Sequence, residues 1–546
     1  MTSWSENHLQ TKSLLISVGL GVITLWLLVF AFYMPVYPDE INWRVIFTRI
    51  REQGGRYFHY TFSCRPDLPV DVPWYVVPQL YFLSVYRDLT SFVSFRVPQL
   101  FFSVVYLLGV ARLFSRTSSA SIGATALFTA SVFVLFNANV GVVWLLSSRP
   151  EAMLLAFVGL LLWCASGREM PRSSIAEFLM CVCWMIVCVA HPKAVYFAPL
   201  LLGALYLRRR SIFSLTSTSV VVSVYALAIS RYAYLFIINC PDEPALERMY
   251  FAYNANPLLI FTQPQAFFDE FQKNFPGQVS NLLSRAPAQL MFSGSYDIGY
   301  LPGVKVTAPL GALNNFLAVI FYGVLIFIFI SPFLLLRRIL SVGLDLASLV
   351  WLIGSIAFVL VVFNRTTNSY EIHFWMSLVG PVLMARLVAA RALEKTQERL
   401  VWFAVSSVTL GLLFVIAFHS TIYTKLRVEW SGVNSGPNTS RLFFSSSSIA
   451  KISDFSRSTC GGADYLFFDD RTFMAIDASP RSRPYTYFMV PFTLKPNPTQ
   501  EAAHYLDRFG SVHFVGNCAF ESELPENMKN VIGRLEELNI CCFVKR

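Results

Sequence analysis

The chain has 546 residues, of which 55% are hydrophobic and only 14% charged, with a mean hydropathy of +0.53. A soluble globule carries about a quarter charged residues, so the composition excludes one and marks an integral membrane protein. The formal charge of +10 reads as membrane orientation and not as a nucleic-acid footprint, because cationic residues collect in cytoplasmic loops.

Crossing a hydrocarbon core takes roughly 20 apolar residues per helix, and the apolar runs number about eleven. The first, 14–34, is longer than a signal-peptide core and lacks a small-x-small cleavage site, so it reads as a retained span. Run from inside to outside, it leaves an external loop at about 35–95. Within that loop Ile41, Val45, Ile46 and Ile50 fall on one helical face, opposite Arg44, Arg49, Arg51 and Glu52. The pattern predicts an amphipathic helix lying on the membrane surface, with the aromatic-rich stretch 74–86 beside it.

Further spans are predicted at 97–114, 122–136, 153–165, 175–190, 194–207 and 212–230. The loops then placed inside carry Arg112 and Arg116, Arg168 and Arg172, and Arg208-Arg209-Arg210, as the positive-inside rule requires. A second external segment, 239–309, contains a predicted surface helix at 265–283. The last spans are 313–336, 344–363, 374–390 and 401–419, with Arg337, Arg338, Arg391, Lys395 and Arg399 inside and the C-terminus outside.

From about residue 421 the composition becomes that of a soluble domain. Short buried strands are predicted at 465–468, 512–515 and 540–544, and helices at 499–509 and 526–538. The expected architecture is therefore a polytopic α-helical membrane protein with a module at 1–420 and an external α/β domain at 421–546. Cys164, Cys181, Cys183 and Cys188 fall within spans as packing residues. Cys64, Cys240, Cys460, Cys518, Cys541 and Cys542 are external, so one or two disulfides are expected, chiefly in the C-terminal domain, with the pairing open.

Charge-derived topology gathers four polar groups at external boundaries: Asp39-Glu40, Arg149-Pro150-Glu151, His191-Pro192-Lys193 and the loop 364–373, which holds Arg365, Tyr370 and His373. Each also has a structural role open to it. Asp39 can cap the interfacial helix, and Ser148-Arg149-Pro150-Glu151 fits a capping box. Lys193 can snorkel, and His191 can satisfy a buried carbonyl. Together they point to a site, since ionisable groups at the edge of a bundle are costly and serve a pathway or chemistry.

These motifs resemble the C-type glycosyltransferase superfamily, with bacterial aminoarabinose transferases and protein O-mannosyltransferases the nearest in pattern. The resemblance covers the chain to about residue 420 and rests on the Asp-Glu pair, Arg-Pro-Glu, His-Pro-Lys and the late Tyr-x-x-His. It implies a GT-C-like fold and a polyprenyl-phosphate-linked sugar donor, whose sugar passes with inversion to a lipid, glycan or protein acceptor.

In that chemistry a carboxylate near the acceptor removes its proton, the role expected of Asp39. Glu40 would orient the acceptor or a metal, and Glu151 would hold the acceptor or the first loop. Cations must stabilise the leaving phosphate, and Lys193, Arg149, Arg365 and Arg65 are the candidates. His191, Tyr370, His373, Trp74 and Tyr81 are the expected substrate contacts, the aromatics lining a groove for the isoprenoid chain. Glu40, His191 and His373 could also hold a divalent ion, which a monophosphate donor does not require.

Membrane lipids are expected partners and nucleic acid is not. The expected location is a bacterial inner membrane, with the N-terminus cytoplasmic and both the active site and the C-terminal domain periplasmic. Two other classes compete. One is a transporter or flippase of lipid-linked saccharides, which would place ionisable or helix-breaking residues near the membrane midplane. The other is an assembly protein working through its external domain, where Asp469-Asp470 stands out.

Overall fold

The computed structural model describes 57–59, 70–72, 92–117, 152–166, 174–190, 259–284, 446–469, 472–473, 475–476, 481–484, 497–507 and 509–545. Isolated residues at 19, 21, 22, 47, 128, 224, 360, 363 and 364 are described as well. In the first loop, β1 (Tyr57–His59) pairs antiparallel with β2 (Val70–Val72), a hairpin not foreseen in the sequence.

Three helices follow: α1 (Phe92–Thr117), α2 (Ala152–Ser166) and α3 (Ser174–Ala190). They coincide with the predicted spans 97–114, 153–165 and 175–190. The other predicted spans lie outside the described residues, apart from isolated positions. Among the described residues no helix is long and apolar enough to cross a membrane.

α1 and α2 approach closely because both present glycine at the crossing. A Cβ on Gly159 would stand 2.5 Å from the Val105 carbonyl oxygen and 2.6 Å from Tyr106 Cα, and one on Gly109 would meet the Gly159 carbonyl. Small residues permit such backbone contact. Further along, the Arg112 guanidinium lies 4.0 Å above the Trp163 ring, a cation–π contact. Contacts thus advance from 105–109 against 159 to 112 against 163, so α1 and α2 run parallel. Phe128, between α1 and α2 in the sequence, stacks on Phe114 of α1 at 4.2 Å. α2 and α3 are joined by 167–173 alone and pack together, and so short a link makes packed helices antiparallel.

The segment 239–309 contains α4 (Leu259–Thr262), which runs into α5 (Pro264–Ser284) through hydrogen bonds from Gln263 N to Leu259 O and from Phe267 N to Gln263 O. α5 is the predicted surface helix. Phe267, buried, packs with Leu259 and Ile260 against Leu360, and Phe275 meets Phe363 at 5.4 Å between ring centroids.

The C-terminal region is a five-stranded mixed sheet in the order β4-β3-β5-β7-β6. Its strands are β3 (Tyr465–Phe468), β4 (Ser482–Pro484), β5 (Val512–Asn517), β6 (Asn530–Leu535) and β7 (Ile540–Val544). β3 lies parallel to β4 and β5, while β7 pairs antiparallel with β5 and β6. Both faces are covered, by α6 (Ser446–Cys460) on one side and α7 (Pro498–Leu506) on the other, which is why β3 and β7 read as continuous apolar runs.

Alternation along β7 sends Cys541 and Phe543 to the α7 face and Ile540 and Cys542 to the α6 face. Each cysteine of the adjacent pair therefore forms its own disulfide, Cys518–Cys541 on one face and Cys460–Cys542 on the other.

The helix predicted at 526–538 is corrected. This stretch is a 3-10 turn (Glu526–Met528), strand β6 and a second 3-10 turn (Glu536–Leu538). Its helix-forming residues yield to tertiary pairing: Asn539 in the left-handed conformation (φ 53) turns the chain into β7, and β6 crosses under α6, where a Cβ on Gly533 would strike the Thr459 methyl.

Candidate functional site

The relation between the three helices determines which chain positions are neighbours. With α1 and α2 parallel and α3 antiparallel to them, the start of α1, the start of α2 and the end of α3 share one end of the unit. Arg149-Pro150-Glu151 leads directly into Ala152, the first residue of α2, and His191-Pro192-Lys193 leaves directly from Ala190, the last residue of α3. The opposite end carries Arg112 and Arg116 in the last turns of α1 and receives the link bearing Arg168 and Arg172. Two of the four sequence motifs therefore join the end at which α1 begins with Arg96, while Arg112, Arg116 and the link bearing Arg168 and Arg172 belong to the other.

Asp39, Glu40, Arg65, Trp74, Tyr81, Arg149, Glu151, His191, Lys193, Arg365, Tyr370 and His373 all lie outside the described residues. Arg65 belongs to 60–69, the connection between β1 and β2. Among the described residues no group of three or more His, Cys, Asp or Glu is placed to hold a metal ion.

The late loop is approached through Asn364, which is 1% exposed. Its Nδ2 donates to the Phe267 carbonyl of α5 at 2.9 Å, and its own carbonyl accepts from Asn274 Nδ2 at 2.6 Å. Asn364-Arg365-Thr366 matches a glycosylation sequon, but an amide nitrogen buried and donating in this way is closed to modification. The pairing of Asn274 with Asn364 was not foreseen. Its one signal is an amide placed among Phe271 and Phe275 on an otherwise aromatic helix stripe.

Asp469 is 1% exposed and follows β3. Its Oδ2 accepts from Asn517 N at 2.7 Å, and its Oδ1 accepts from Thr472 N and Oγ1, each at 2.9 Å. Asn517 Oδ1 in turn accepts from Ala519 N at 2.9 Å and Asn539 Nδ2 at 3.2 Å. The carboxylate is thus occupied in tying the carboxyl ends of β3 and β5 together. Asp470 lies outside the described residues. Partial desolvation raises the Glu523 carboxyl above its ordinary value, although the residue is exposed overall.

The sequence matches no family model and no curated protein. Among solved structures the chain is similar to the oligosaccharyltransferase of Archaeoglobus fulgidus, crystallised in its apo form, with a TM-score of 0.45 and 11% identity over 94% of this chain and 70% of that one.

Proposed function

We propose that the chain is a membrane glycosyltransferase that moves a sugar from a polyprenyl-phosphate donor to a lipid, glycan or protein acceptor on the outer face. The observation that carries this is the common end of α1, α2 and α3, to which Arg-Pro-Glu and His-Pro-Lys are joined. Topology drawn from charge alone assigns the same motifs to one side. The apolar faces also favour a lipid setting: Phe101 on α1 and Phe178 on α3 are 63% and 67% exposed, and α2 carries no charged residue at all.

In the proposed reaction Asp39 accepts the acceptor's proton as its oxygen attacks the anomeric carbon opposite the phosphate. The bond from that carbon to the phosphate oxygen breaks, so the configuration inverts and polyprenyl phosphate leaves. Lys193, Arg149 and Arg365, with Arg65, stabilise the charge growing on it. Glu40 and Glu151 orient the acceptor; His191, Tyr370 and His373 contact the sugar; and Trp74 and Tyr81 line the isoprenoid path. A divalent ion on Glu40, His191 and His373 is compatible with these donors and is not needed for a monophosphate leaving group. The site faces a bacterial periplasm, as does the C-terminal domain, where two disulfides suit an oxidising compartment.

The test is mass spectrometry of lipid that copurifies with the full chain. A polyprenyl phosphate or its glycoside is expected. If only bulk phospholipid copurifies, and added polyprenyl phosphate fails to bind, the proposal fails and weight moves to a transporter or assembly role.

A further inference from the structure

We infer that Asn274 and Asn364 form an amide latch by which the second external segment positions the loop that opens at Arg365. The inference rests on the proposed function, in which that loop supplies a contact to the donor phosphate. Asn274 and Asn364 are then positioning residues, acting through Arg365.

Three features support it. First, the two hydrogen bonds join residues 97 and 90 positions apart in the chain, so they are tertiary bonds that hold α5 against the start of the loop. Second, apolar contacts back them from beneath, Phe267 against Leu360 and Phe275 against Phe363, which places residues 360, 363 and 364 on α4 and α5. Third, Asn364 is buried although its Oδ1 finds no hydrogen-bond partner. Burying an unsatisfied amide oxygen costs stability, and an apolar side chain would avoid that cost. An asparagine there makes sense if the bond it donates to Phe267 O is needed for placement.

The chemistry of the latch directs its effect. The carbonyl that Asn274 holds belongs to the peptide unit leading into Arg365, and a peptide unit is planar. Fixing its oxygen therefore fixes the plane in which the chain leaves Asn364. Guanidinium recognition of phosphate depends on direction as well as charge, so releasing the carbonyl weakens donor binding without touching the acceptor side.

Two measurements on the full chain in detergent test this. In steady-state transfer, Asn274→Ala raises the donor KM by about tenfold and leaves kcat and the acceptor KM within about twofold, a loss confined to uniform binding of one substrate. Asn274→Gln, which retains a donor amide, recovers part of the loss. In hydrogen exchange, adding polyprenyl phosphate slows exchange across 264–284 in the wild type and not in Asn274→Ala, because coupling between two sites is reciprocal.

A donor KM in Asn274→Ala equal to that of the wild type overturns the latch. So does unchanged exchange over 264–284 while polyprenyl phosphate is bound. Transfer surviving in Asp39→Asn, or absence of polyprenyl phosphate binding to the wild type, overturns the functional proposal instead.

Discussion

Gly109 and Gly159 face each other where α1 crosses α2, and neither has room for a methyl group: a Cβ on either would collide with the other helix's backbone. Because this crossing sets α1 parallel to α2, it also sets which chain ends are neighbours. Gly159→Ala should destabilise the helix pair by about 1 to 3 kcal/mol, the usual cost of overpacking. Gly277→Ala in α5, where nothing lies within 4 Å, should be neutral or stabilising by up to about 1 kcal/mol. Apparent melting temperatures of the full chain in detergent compare the two.

Peptide mapping under non-reducing conditions should find Cys460 joined to Cys542 and Cys518 joined to Cys541, with no crossed pairing. Losing either bond should cost about 2 to 5 kcal/mol. Loop-closure entropy makes Cys460–Cys542, with a separation of 82, the stronger by ~1 kcal/mol over Cys518–Cys541, with 23. Melting of Cys460→Ser and Cys518→Ser measures that order.

Asp469→Asn conserves shape but must turn an NH2 group toward a backbone donor, Thr472 N on one side or Asn517 N on the other. The expected loss is about 2 to 3 kcal/mol in the stability of the C-terminal sheet. If transfer per folded molecule is unchanged, the carboxylate is structural. A selective loss of turnover in a stable protein would assign it a chemical role.

Glu523 makes a pH prediction. Partial desolvation of this exposed residue favours its protonated form in the folded state, so its small contribution is fully present below the ordinary carboxylate value and is lost as pH rises through the elevated folded value. Glu523→Gln should therefore raise the melting temperature at about pH 7 and leave it unchanged at about pH 4, close to the ordinary value. Equal shifts at both pH values would contradict the assignment.

The elements most legible in the sequence were those written as uninterrupted apolar runs. The strands at 465–468 and 540–544 coincide with β3 and β7 to the residue, since a sheet covered on both faces leaves no polar alternation to blur its ends. α5 was legible from its aromatic stripe. β6 was not: Glu526, Glu536, Glu537 and Leu538 carry helical propensity, and only pairing with β7 makes the stretch between them a strand. The disulfide pairing was equally hidden, because the faces of Cys541 and Cys542 follow from the pleat of β7 and not from spacing. For the candidate site, the motif positions at 149–151 and 191–193 could be related through helix direction. The Asn274–Asn364 contact spans 90 residues, and no local pattern encodes it.

The most direct measurement follows glycosylated polyprenyl phosphates, extracted from host membranes, as they are incubated with the full chain and read by mass spectrometry. Wild type should deplete the glycoside and release polyprenyl phosphate, while Asp39→Asn, inserted in the membrane at the same level, should do neither. Removing a general base typically costs about 10²- to 10⁴-fold in rate. Turnover by Asp39→Asn at the wild-type rate would contradict the proposed role of Asp39, and with it the mechanism.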